Sequence, residues 1–142
     1  MDRQPEPVVY WDSSALLSVL FQDAHSPNAV KWSQKPGIHL ISSLAFVEVC
    51  AVLARLKRER LVADVLVSAA YESLEHGPWR SLLIQPERKR IKPLAARRSL
   101  RGADLWHLGA VLTLQEQLPE IKILTYDLRL KKAAQAEHVS LN

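Results

Sequence analysis

Val8-Val9-Tyr10-Trp11-Asp12-Ser13-Ser14-Ala15-Leu16-Leu17 is the stretch that decides the fold. Its first four residues form a short apolar run between polar neighbours, the mark of a buried strand. Asp12-Ser13-Ser14 then offers side chains that cap a helix over Ala15 to Phe21. The same sentence is repeated along the chain. Ile38 to Ile41 reads as a second strand, closed by Ser42-Ser43, and Leu44 to Leu56 as a long helix. Between the first helix and this second strand, Gln22 to Pro36 carries breakers at both ends and a short amphipathic helix around Asn28 to Gln34. Arg60 to His76 is helical and stops at Gly77-Pro78. Arg80 to Ile84 is strand-like, and Glu87 to Arg101 is a helix that Pro93 must end or kink. Asp104 to Leu118, apolar almost all round, is a buried helix. Ile121 to Tyr126 is a further strand, Asp127 to Ala136 a last helix, and Val139 to Leu141 a short final strand. Strands alternating with helices predict an α/β fold: one domain over residues 1–142, with a central parallel sheet of about five strands and helices on both faces.

The 142 residues, 48% of them apolar and 24% charged, suffice for one self-contained core. Disorder and a disulfide scaffold are therefore excluded. The single Cys50 has no internal partner and lies in an apolar run, as in a reducing compartment. Met1-Asp2-Arg3-Gln4-Pro5-Glu6-Pro7 has no apolar signal core, and no run reaches the ~18 apolar residues of a membrane span. A cytoplasmic protein with no membrane contact is expected. The net charge of +4 leans toward polyanionic partners.

In open α/β sheets the reactive groups gather beyond the carboxyl ends of the strands. Asp12 follows the first strand directly and Asp127 follows Ile123-Leu124-Thr125-Tyr126, although either could simply cap a helix. Glu48 is the one charge within Leu44 to Ala54, and its neighbours at three and four positions are Leu44, Ala45, Ala51 and Val52. No basic residue of its own helix can pair with it, so burial there would cost on the order of several kcal/mol. Asp104 opens the second apolar helix, where it either complements the helix dipole or pairs with Arg101 on the surface. Two carboxylates about 4 Å apart repel by roughly 4 kcal/mol at an effective dielectric of 20, so acids brought together need a cation or a shared proton. An all-oxygen ligand set selects Mg²⁺, or Mn²⁺ as the alternative, over Zn²⁺. Such a pocket beside basic side chains suits phosphodiester hydrolysis.

Four segments then carry a family resemblance. Tyr10-Trp11-Asp12-Ser13-Ser14-Ala15-Leu16-Leu17 resembles the first motif of PIN-domain ribonucleases, more narrowly of VapC-type toxins of toxin-antitoxin pairs. Ser42-Ser43-Leu44-Ala45-Phe46-Val47-Glu48-Val49 is similar to the second motif, Leu100 to Leu108 to the third, and Leu124 to Leu130 to the fourth. They follow in the family's order over nearly the whole chain. The resemblance implies that Asp12, Glu48, Asp104 and Asp127 are the metal-binding catalytic quartet, with Ser14 and Thr125 as supporting hydroxyls. It also implies a Mg²⁺- or Mn²⁺-dependent endoribonuclease, a homodimer and a cognate antitoxin protein. Ser13 departs from the Thr that is common in the family, and Trp11 and Trp106 are bulkier than usual.

Arg88, Lys89, Arg90, Lys92, Arg97, Arg98 and Arg101 make up seven of the nineteen basic residues, a surface suited to RNA phosphates or to a partner protein. Arg129, Lys131 and Lys132, directly after Asp127, are expected to meet substrate phosphates together with Arg101. His107 is expected to support the site rather than ligate, the four tryptophans to pack, and Cys50 to fill core space. Two rival readings stay open at this point. Asp12 could be a phosphoryl-accepting nucleophile, although Ser14 stands where such enzymes carry a second Asp. Alternatively, the acidic pocket could be a non-catalytic dock for a basic partner.

Overall fold

The computed structural model describes residues 6–142; Met1 to Pro5 of the leader lie outside them. Its elements are β1 (Val8–Trp11), α1 (Ser13–Leu20), α2 (Ser26–Ser33), β2 (Ile38–Ser42), α3 (Ser43–Arg58), α4 (Asp64–His76), β3 (Trp79–Leu82), α5 (Arg88–Arg97), α6 (Gly102–Leu114), β4 (Ile121–Leu124) and α7 (Leu128–Ala136). The strands form one four-stranded sheet in the order β3-β2-β1-β4, and every pairing is parallel. The expected fifth strand is reduced to a single parallel bridge, Ile123 to Ser140. Among the described residues no helix is long and apolar enough to cross a membrane.

Alternation along β1 divides the core in two. Val8 and Tyr10 point into one cluster with Leu94 of α5, Leu108 and Val111 of α6 and Leu130 of α7. Val9 and Trp11 point into the other, with Leu16 of α1, Val49 and Leu53 of α3 and Val67 of α4. All four β1 residues are buried, as a central parallel strand covered on both faces requires. β2 enters beside Pro7 at Gly37, whose φ of +142° only glycine adopts freely and where a Cβ would run into the Pro7 carbonyl.

Three helix boundaries differ from the sequence expectation by four residues, the others by two at most. α4 starts at Asp64 rather than Arg60, because Arg60 sits at φ +54° in the turn that ends α3. α5 continues past Pro93 to Arg97, and Arg98 is extended, so residues 98–101 are not helical. α6 ends at Leu114, short of Leu118.

Charge fastens α5 to the end of α7. Arg97 and Arg98 donate to the two oxygens of Glu137, at 2.6 Å to Oε1 and 2.5 Å to Oε2. These bonds, Arg97's first, hold the Glu137 carboxyl down at about 2. A carboxyl depressed in the folded state stabilises above its ordinary range, and that stabilisation is lost as pH falls through the folded value. Arg97 is half exposed, so water screens part of the gain. Glu137→Gln is expected to cost about 1 kcal/mol at neutral pH. Urea unfolding at neutral pH and near pH 2 checks this: the gap between the two proteins should close in acid.

Candidate active site

The parallel register aligns Trp11 with Ile41 on one side and with Leu124 on the other. The residues that follow, Asp12, Ser42 and Thr125, therefore emerge side by side at the carboxyl edge of the sheet. The chain order reverses across β1 and β4, the place where open α/β sheets build their sites.

Asp12 caps α1 and is only 3% exposed. Its Oδ1 accepts from Ser14 Oγ at 2.7 Å and from the Ala15 amide at 2.9 Å, and its Oδ2 accepts from Thr125 Oγ1 at 2.5 Å. Burial pushes its carboxyl above the ordinary range, against the pull of those hydrogen bonds. The same hydroxyls fix the loop after β4. Ser14 Oγ accepts the Tyr126 amide at 2.9 Å and Thr125 Oγ1 the Asp127 amide at 3.1 Å. Ser14 and Thr125 thus staple the Asp12 turn to the Asp127 turn.

Glu48 is half-buried on α3, and the polar partner its own helix lacks comes from α6. His107 Nε2 lies 2.6 Å from Glu48 Oε1, donating to the carboxylate, while His107 Nδ1 lies 2.7 Å from the Tyr10 hydroxyl. Tyr10 in turn donates to Ser42 Oγ at 3.0 Å, and Ser42 Oγ caps α3 by accepting the Ala45 amide at 3.1 Å. Burial raises the Tyr10 phenol well above its usual range, so it remains a neutral hydroxyl. This string from strand edge to carboxylate leaves Glu48 little rotational freedom. Tyr10 was not among the residues singled out in the sequence. The available signal was a phenol two residues before Asp12, the one hydroxyl in an otherwise apolar or aromatic strand.

Glu48, Asp104 and Asp127 line one cavity of about 610 Å³ together with Arg101, Tyr126 and Arg129. Leu128, 80% exposed, stands at its edge. Asp104 sits in the first turn of α6, and Asp127 caps α7 by accepting the Leu130 amide at 3.0 Å. The Asp104 carboxyl is raised, first by burial and then by the negative charge of Asp127, with Glu48 adding to it; His107 and Arg101 only partly offset this. The cavity therefore carries excess negative charge, which a divalent cation would relieve.

The expected convergence of all four acids is incomplete in side-chain position. Among the described residues, no three His, Cys, Asp or Glu groups already enclose a metal position. The physical reason is visible at each acid. Asp12 spends its oxygens on Ser14, Ala15 and Thr125, Glu48 turns Oε1 to His107, and Asp127 bonds its own helix. The donor chemistry, all carboxylate oxygen around an electronegative cavity, nonetheless fits a hard cation.

Of the basic residues expected near the site, Arg101 and Arg129 line the acid cavity. Lys132 lines a neighbouring cavity of about 390 Å³ with Arg97, Arg98 and Arg129, while Lys131 lines neither. Arg129 is common to both, joining the acid cavity to a basic one. Trp11 is buried and packs as expected, whereas Cys50 is only half-buried.

The PIN domain family model matches residues 9–136 of the chain. Two Mycobacterium tuberculosis proteins, Ribonuclease VapC45 and Ribonuclease VapC49, are each 29% identical to it over 134 residues, covering 92% of this chain and 91% of their own. Among solved structures, PAE2754 from Pyrobaculum aerophilum aligns with a TM-score of 0.57 at 20% identity, covering 89% of this chain and 79% of its own. The M. tuberculosis toxin VapC20, which cleaves the sarcin-ricin loop, aligns with a TM-score of 0.57 at 17% identity, covering 88% of this chain and 94% of its own. These two structural likenesses concern the fold.

Proposed function

The chain belongs to the PIN-domain family, and on that premise we propose that it is a divalent-metal-dependent endoribonuclease acting as the toxin of a toxin-antitoxin pair. The observation that carries the reading is the single cavity lined by Glu48, Asp104 and Asp127 together with Arg101 and Arg129, in which burial first and then the Asp127 charge raise the Asp104 carboxyl. Glu48, Asp104 and Asp127 would hold Mg²⁺, or Mn²⁺ in its place, with Asp12 completing the set from behind. Bound there, the ion would supply Lewis-acid activation of water and neutralise charge on the departing oxygen. Ser14 and Thr125 keep the two aspartate turns in register, and His107 orients Glu48. Arg101 and Arg129 meet the phosphate oxygens, and the basic cavity of Arg97, Arg98 and Lys132 continues the path for the strand.

The reading extends to partners. Val47 of α3 is 60% exposed beside Glu48, and Val65 and Leu66 of α4 are 73% and 54% exposed. An antitoxin would lay an apolar helix along such helices and bring a basic side chain into the acid cavity, offsetting the same repulsion as the metal does. A homodimer and a cytoplasmic location complete the proposal. The phosphoryl-transfer alternative fares worse, because Asp12 is almost wholly buried and both of its oxygens already accept hydrogen bonds.

Incubating the purified, partner-free chain with structured RNAs and Mg²⁺ or Mn²⁺ tests the reading. Internal cleavage abolished by a chelator and restored by added metal is the expected result. A covalent phosphate on Asp12 would favour phosphoryl transfer, and inactivity with every ion would leave the acidic pocket as a dock.

A further inference from the structure

The imidazole of His25 stacks on the ring of Tyr126, with centroids 4.5 Å apart and planes within 12°. Tyr126 lines the acid cavity, whereas His25 is exposed. One face of the imidazole lies against Tyr126, and the residue as a whole is exposed to solvent. We infer that this exposed stack is a nucleobase platform, on which an unpaired base of a single-stranded RNA extends the aromatic column while its phosphates lie toward Arg101 and Arg129. The inference rests on the RNA-cleaving reading above and adds a base-binding subsite to it.

Both rings are held in advance of any ligand. Tyr126 donates its hydroxyl to Asn28 Oδ1 at 2.5 Å, and its amide is tied to Ser14 Oγ at 2.9 Å. The turn bearing His25 is pinned by Asp23. Its Oδ1 accepts the His25 amide at 2.8 Å, its Oδ2 accepts Ser18 Oγ at 2.8 Å, and its own amide donates to Ser26 Oγ at 2.8 Å. None of these bonds uses the imidazole. The ring is placed by that turn and by its stack on Tyr126, a flat surface beside the charged cavity that Tyr126 lines, with no side-chain hydrogen bond among the described residues. Bases splayed from single strands bind such surfaces by stacking, with little dependence on sequence.

The side chain can be removed without disturbing the turn, because the pinning bonds belong to the His25 backbone. A short single-stranded RNA with one 2-aminopurine is titrated in chelator with wild type, His25→Ala and His25→Phe, and KM and kcat are then measured with Mg²⁺. The expected result is fluorescence quenching by wild type and His25→Phe. His25→Ala should bind roughly 5- to 150-fold more weakly, the worth of one stacked base. The same loss should be carried by KM, with rescue by Phe. Three results would overturn the platform. If His25→Ala equals wild type in binding and KM, the platform fails and the nuclease reading stands. If Phe behaves as Ala, the contact is polar rather than stacked. If wild type neither binds nor cuts RNA, the nuclease reading fails and takes the platform with it.

Discussion

Glu48→Gln is expected to lower metal-dependent RNA cleavage by more than roughly a hundredfold, beyond the 10- to 100-fold typical of residues that merely support a ligand. Glutamine matches glutamate in shape and keeps a carbonyl oxygen for His107 Nε2, so the Ser42–Tyr10–His107 string survives. What disappears is the negative charge and the anionic oxygen offered to the cavity. Unfolding free energy should move by less than about 1 kcal/mol, since a hydrogen bond is kept and like-charge repulsion against Asp104 is relieved. Cleavage rates and denaturation midpoints measured on the same preparations check both halves. A variant that retains activity, or one that loses activity only because it unfolds, would contradict the assignment.

Trp11→Ala is expected to produce the largest stability loss, about 3–5 kcal/mol. Trp11 is wholly buried and meets Trp79 edge-on at 5.7 Å. Its Nε1 donates to His39 Nδ1 at 3.0 Å, which leaves His39 Nε2 to donate to the Lys35 carbonyl at 2.8 Å. Alanine would open a cavity and orphan the His39 acceptor. A domain holds only about 5–15 kcal/mol in total, so this is a large share. The loss bears on function because Trp11 is the residue before Asp12, and its packing fixes where β1 releases that carboxylate. Trp11→Phe, which keeps most of the volume, should cost less. A Trp11→Ala midpoint equal to that of wild type would show that β1 is not the keystone of this sheet.

Three of the four strands were legible because each is a short, mostly apolar run that leads within three residues to a helix-capping side chain. Val8 to Trp11 with Asp12, and Ile121 to Leu124 with Asp127, say both that a buried strand ends and what stands at its end. The caps and the candidate site are the same side chains, so local propensity and function point one way. The partner of Glu48 was not legible. Only neighbours on its own helix could be inspected in the sequence, while the imidazole that meets it lies 59 residues away on α6. The cost of burying an unpaired carboxylate was a correct warning, answered by a contact only the fold creates. Val139 to Leu141 looked like a strand for a real reason. Its backbone bonds Ile123 on both sides, at 2.8 and 2.9 Å, but these make a single bridge rather than a ladder.

Direct binding of Mn²⁺, followed by electron paramagnetic resonance on wild type and on Asp104→Asn, tests the central claim with no RNA present. Saturable binding to wild type, weakened at least about tenfold by a change that removes one charge from the cavity, is the expected result. Equal binding by the two proteins would contradict the placement of the ion among these acids.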